Sequence, residues 1–206
     1  MNYVNDRTLF SEEDFAIKER ILSAFMELAK TRGFYRVTMD ELAAEAGLSK
    51  RTLYRYFRSK DEIIETTLEM LMAEAAKRID EFLSTYHKPE EIADEMLRII
   101  SEVGHTFVNP LVLDDLRQHY PHYWKKIDAF RMQKMRKVIE SKFLLNERNK
   151  GQLRELDARI VTTAFLASIQ AVVNPEFIIT NGLTFESTAR QLMELFQYGI
   201  MKEKRN

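Results

Sequence analysis

The chain of 206 residues is 45% hydrophobic and 31% charged, which excludes a disordered polypeptide and leaves room for one large domain or a small domain joined to a larger one. Its 31 Lys and Arg against 32 Asp and Glu leave a net charge of −1, so the whole chain carries no basic excess of the kind that nucleic acid attracts. The absence of Cys excludes disulfides, thiolate zinc sites and cysteine nucleophiles, and six Gly with four Pro are too few for a turn-rich sheet protein or a glycine-rich phosphate loop.

Helices are therefore expected throughout, in an all-α fold. Residues 11–33 open with Ser11 and three acids and close with Lys30, Arg32 and Gly33, the charge order that a helix dipole favours. At about 100° per residue, Ile17, Ile21, Leu22, Phe25, Met26, Leu28 and Ala29 share one arc, which predicts a helix over about 11–32 with one buried face. Thr38, with Glu41 three positions on, has the form of a capping box and opens a second helix over 39–46 that Gly47 closes. Ser49 caps a third helix over 49–57, and the turn of about three residues between the two permits only a tight helix-turn-helix corner.

A long fourth helix follows from Ser59 to about residue 86. The break at His87-Lys88-Pro89 opens a helix over roughly 90–107, and Asn109-Pro110 a short one over 111–119. A long polar-faced helix is expected from Pro121 to about residue 145, then a hydrophilic loop over 146–151. Residues 156–173 are apolar or small around most of a helix circumference, which requires burial on both sides. Beyond an Asn174-Pro175 break and an Asn181-Gly182 turn, a last helix spans about 185–201. No uncharged run approaches the ~18 apolar residues of a membrane span, and the polar N-terminus lacks the apolar core of a secretion signal, so no membrane partner and a cytoplasmic location are expected.

The stretch that carries chemistry is 38–60, TMDELAAEAGLSKRTLYRYFRSK. On the third helix Lys50, Arg51, Tyr54, Arg55 and Arg58 fall within about 140° of arc, while Leu53 and Phe57 lie on the other side. Such a face suits a DNA major groove: Arg or Lys donates to guanine O6 and N7, and Tyr stacks on a base or reaches a phosphate. A solvated charged face is the plainer alternative, and the distribution of charge decides against it. Residues 30–60 hold eight basic and three acidic residues, a net of +5, whereas residues 61–206 net −3.

Residues 17–64, and above all GFYRVTMDELAAEAGLSKRTLYRYFRSKDEII, closely resemble the DNA-binding domain of the TetR/AcrR family of bacterial transcriptional regulators. Gly-Phe, the Thr before the second helix, Ala-Gly-Leu-Ser at the turn, Leu-Tyr-x-Tyr-Phe in the third helix and Lys-Asp after it all match. The resemblance implies a helix-turn-helix domain over 1–60, an effector-binding and dimerisation domain over 61–206, and a homodimeric repressor that leaves a palindromic double-stranded DNA operator when a small molecule binds. It further implies that Lys50, Arg51 and Tyr54 face bases and that Thr38, Ser49, Thr52, Tyr56 and Lys60 bind phosphates. Thr38 and Ser49 are also helix caps, and Tyr56 lies off the basic arc, where packing against the fourth helix is the alternative.

Two adjacent apolar helices, about 156–173 and 185–201, are more than one small domain buries and predict a four-helix interface with a second copy. Between these ends lies the region where the family binds an effector. His105, Phe107, His119, Tyr120, Tyr123 and Trp124 are its candidate ligand residues, with ordinary core packing as the alternative for each. Pro121 interrupts His119-x-x-His122 as a pair of metal ligands, so no metal and no cofactor is expected. No catalytic motif is present, and adjacent acids such as Asp114-Asp115 point to different sides of a helix, so the chain reads as no enzyme. A constitutive or architectural DNA-binding dimer without a ligand remains the alternative function.

Overall fold

The computed structural model describes residues 12–85, 91–92, 94–99, 109–144 and 154–200, and among them every regular element is helical. The elements are α1 (Glu12–Arg36), α2 (Met39–Glu45), α3 (Lys50–Tyr56), α4 (Lys60–Ser84), α5 (helical residues 91–92 and 94–99), α6 (Pro110–His119), α7 (Pro121–Val138), α8 (Ala158–Val172), α9 (Pro175–Thr180) and α10 (Phe185–Ile200). The chain divides into two compact units, Met1–Met70 and Leu71–Asn206, and α4 runs through the division.

In the first unit, α1 buries Ile21, Leu22, Phe25, Met26 and Ala29. Its regular geometry breaks at Gly33, as the sequence predicts, yet helical turns resume to Arg36 rather than stopping. Gly33 takes φ 78° and ψ 168°, a region open essentially to glycine alone, and the bend brings Phe34 onto Phe25 with ring centroids 4.9 Å apart. Leu42 of α2, Leu53 of α3 and Ile63 and Ile64 of α4 complete this core and are all but inaccessible to solvent. Thr67 of α4 is 0% exposed, and its hydroxyl has no hydrogen-bond partner among the described residues. Leaving a buried hydroxyl unpaired costs about 1–3 kcal/mol, so Thr67→Val, which keeps the shape, should stabilise the chain by about 1 kcal/mol and raise Tm by ~3 °C. An unchanged or lowered Tm in calorimetry would show that the hydroxyl is satisfied.

In the second unit α6 packs on α7 and α9, and α8 on α7 and α10. Its main core gathers Ile79 and Phe82 of α4, Ile92, Met96 and Ile99 of α5, Val138, and the inner faces of α8 and α10. Three features depart from the sequence-based reading. The helix from Pro121 does not stay α-helical: after Val138 it widens into a π-turn over Ile139–Leu144, and residues 145–153 lie outside the described segments. Asn174-Pro175, read as a break, instead starts α9, because Asn174 Oδ1 accepts from Phe177 N at 2.9 Å and Pro175 stands at a first-turn position where no N–H is needed. Likewise α8 is not buried all round: Val161, Phe165, Leu166 and Ile169 face inward while Ile160, Ala164, Ala167 and Ala171 are exposed. No described helix is long and apolar enough to cross a membrane.

Candidate nucleic-acid interface and interior cavity

The corner between α2 and α3 is built by local chemistry. Thr38 Oγ1 accepts from Glu41 N at 3.2 Å, and Glu41 Oε2 accepts from Thr38 N at 3.0 Å. Arg32 of α1 donates to Glu41 Oε1 at 2.9 Å, so these bonds, chiefly the one from the Thr38 backbone, hold the Glu41 carboxyl below its ordinary range. Gly47, at φ 62°, reverses the chain as only a glycine does freely, and Leu48 N donates to Ala43 O at 2.8 Å. Ser49 Oγ then accepts from Thr52 N at 3.0 Å and shares a 2.8 Å hydrogen bond with Thr52 Oγ1. Leu53 faces the core from the middle of α3.

The eight residues expected at DNA fall into different situations. Arg51 and Tyr54 are exposed on α3, and among the described residues no hydrogen bond or ion pair engages their side chains. Lys50 pairs with Asp40 of α2 at 2.6 Å; this hydrogen bond raises the ammonium pKa, and both groups remain in solvent. Thr38, Ser49 and Thr52 hold the helix starts with their hydroxyls. Lys60 donates to Tyr35 O at 2.6 Å. Tyr56 is 9% exposed and donates to Asp14 Oδ1 of α1 at 2.7 Å, which raises its phenol pKa, while Arg55 donates to the phenol oxygen at 2.9 Å. Its packing partner is thus an acid of α1, 42 residues away, and no local pattern could have revealed it.

The second unit contains a partly open cavity of about 150 Å³. Ile79, Met96, Leu113, Phe165, Ile169 and Leu192 represent the helices around it, and α7 contributes Phe130, Arg131, Lys134 and Met135. Of the candidate ligand residues, His105 and Phe107 lie outside the described residues. His119, Tyr120, Tyr123 and Trp124 do not line this cavity but gather at the corner from α6 to α7. There His119 Nδ1 lies 3.4 Å from Asp115 Oδ1, and Tyr123 is buried with its ring 3.9 Å from that of His122. Arg131 and Lys134 carried a signal that the sequence reading passed over. They stand between Ile127 and Val138 at helical spacing, which puts two cations inside the buried stripe of α7.

An N-capped helix pair at a glycine turn, with exposed Arg and Tyr on its second helix, defines a helix-turn-helix DNA-binding regulator. The comparisons with known proteins specify which kind. Residues 21–67 match the family model of bacterial regulatory proteins, tetR family. The HTH-type transcriptional regulator YvaF of Bacillus subtilis (strain 168) is 28% identical over 188 residues, covering 90% of this chain and 96% of its own. The nucleoid occlusion factor SlmA of Vibrio atlanticus (strain LGP32) is 26% identical over 164 residues, covering 76% of this chain and 82% of its own. A TetR transcription regulator from Haloarcula marismortui ATCC 43049 shares the fold with a TM-score of 0.68, at 20% identity over 91% of this chain and 100% of its own. Residues 21–67 thus form a DNA-binding domain of the tetR-family type, and the chain as a whole is similar to HTH-type transcriptional regulators and shares the fold of a TetR transcription regulator.

Proposed function

We propose that the chain represses transcription as a homodimer on an inverted-repeat operator and that a small molecule bound in its C-terminal unit releases it. The observation that carries this reading is the solvent-facing pair Arg51 and Tyr54 on α3, which no intramolecular bond occupies among the described residues. In the complex Lys50, Arg51 and Tyr54 face bases, with Lys50 first leaving Asp40. Thr38, Ser49, Thr52 and Lys60 lie against phosphates while keeping their roles as caps and ties, and Tyr56 acts mainly by fixing α3 to α1. In functional terms residues 1–60 meet DNA, and 61–206 dimerise and take the effector.

The dimer forms through α8 and α10. Their outer faces expose Ile160 at 69%, Leu195 at 71% and Tyr198 at 82%, and Ala164, Ala167 and Ala171 let a second backbone approach closely. The effector acts through α4, which is continuous from Lys60 to Ser84 and supplies Ala75 and Ile79 to the cavity wall. Successive major grooves on one face of DNA are about 34 Å apart, so a ligand that shifts α4 by a few ångströms moves the two recognition helices off register. A regulator of this kind works beside the chromosome, in the cytoplasm.

Selection of bound sequences from a random duplex pool tests the main reading. Recovery of an inverted repeat with half-sites one helical turn apart is expected. Recovery of no sequence, or of single unpaired half-sites, would overturn the palindromic dimer.

A further inference from the structure

Resting on the effector reading above, we infer that the cavity in the C-terminal unit selects an uncharged, apolar small molecule, recognised by contact with Phe and Met side chains rather than by charge or hydrogen bonds. Among the described residues that line it, only Arg131 and Lys134 have polar side chains, yet the wall is almost wholly apolar. Their charged ends are engaged elsewhere. Arg131 donates from Nη2 to Val173 O, the carbonyl just past the end of α8, at 2.7 Å, and its Nη1 lies 3.8 Å from Asp128 Oδ1. Lys134 donates to Asp80 Oδ1 at 2.9 Å, and Asp80, more than half exposed, draws the ammonium to the solvent side. What these two side chains give the cavity is therefore their methylene stems.

The backbone adds no polarity either. The lining residues belong to helices, whose N–H and C=O groups bond to one another, and the carbonyl of Val173 is taken by Arg131. A hydroxyl or a charge entering this space gives up its hydration and finds no partner in exchange, whereas an apolar surface gains by leaving water.

The kinds of apolar side chain sharpen the preference. Phe130, Phe165 and Phe185 bring aromatic rings to the wall, and Met96, Met135 and Met193 bring unbranched thioethers. Sulfur-to-ring contacts favour an aromatic guest, and methionines repack readily, so a partly open cavity lined by them adjusts to guests of more than one size. Polarity, more than size, is what such a wall discriminates.

The test titrates the full-length protein with probes that share a phenyl ring and a short chain: propylbenzene, 2-phenylethanol, phenylacetate and 2-phenylethylammonium. Propylbenzene is expected to bind at least about tenfold more tightly than the alcohol and about a hundredfold more tightly than either ion, with a negative heat-capacity change in calorimetry. Ala189→Leu places a larger apolar side chain at the wall and should weaken propylbenzene about tenfold with helicity retained; Ala75→Leu serves if the first variant fails to fold. If the alcohol or an ion binds as tightly as propylbenzene, if no probe binds, or if the folded variants bind it undiminished, the apolar assignment falls. The effector reading has its own readout, because saturating propylbenzene should lower affinity for the selected duplex about tenfold. If the probe binds with the expected preference and the duplex stays bound, the ligand class stands and the effector reading falls.

Discussion

If the dimer is built as proposed, the unaltered chain is expected to sediment as a dimer and a variant carrying Leu195→Glu and Tyr198→Glu as a folded monomer. Both side chains project from α10 into solvent, at 71% and 82% exposure, so glutamate there costs the protomer almost nothing. The α10 face that holds the fold together, with Ala189, Leu192 and Ile200, is left intact. Across an interface the same substitutions remove two large apolar anchors and bury carboxylates. At about 2 kcal/mol for each truncated anchor, lost once from each protomer of a symmetric dimer, the association weakens by ~8 kcal/mol, or about a millionfold. Operator binding should fall with it, since one protomer reaches only one half-site. The readout is sedimentation velocity at micromolar concentration with circular dichroism alongside. A variant that remains a dimer with native helicity would remove α10 from the interface.

The second large effect is expected at the recognition helix. Arg51→Ala combined with Tyr54→Ala should abolish measurable binding to the selected duplex and leave both helicity and the dimer unchanged. Neither side chain takes part in a hydrogen bond or ion pair among the described residues, so truncation breaks no polar contact there. Each lost base contact costs about 2 kcal/mol, and a symmetric dimer loses it twice, giving ~4 kcal/mol for one position and more for two. Tyr56→Ala serves as the contrast, because it breaks the bond to Asp14 and should lower Tm as well as binding. Undiminished binding by the double variant, in fluorescence polarisation at fixed salt, would show that α3 does not read the bases.

The helix-turn-helix could be read from residues because its determinants are local. Thr38 finds Glu41, Ser49 finds Thr52 and Gly47 turns the chain, all within three positions or at a single glycine. The ends of α1, α2 and α3 accordingly fall close to the expected positions, and only the resumption of α1 past Gly33 differs. Pairings set by distant parts of the chain were not legible. The bond from Tyr56 to Asp14 spans 42 residues, and that from Arg131 to Val173 spans 42 as well. Asn174-Pro175 was ambiguous because the residues that stop one helix can also start the next. The cavity was hidden for a related reason: several helices contribute its walls, and its cations look like ordinary solvated charges until α7 is turned against its neighbours.

The π-turn after α7 has one further consequence. It brings Lys142 to the end of α4, where the buried ammonium donates to Leu83 O and Thr85 O and lies over the Phe82 ring. Burial lowers the pKa of that ammonium, but the carbonyl dipoles at a helix C-terminus favour its charge. Carbonyls that would otherwise fray into water are thereby tied to a residue nearly 60 positions later in the chain. The last turn of α4 and the π-turn are consequently expected to open together in hydrogen exchange, as one unit made from two segments far apart in sequence.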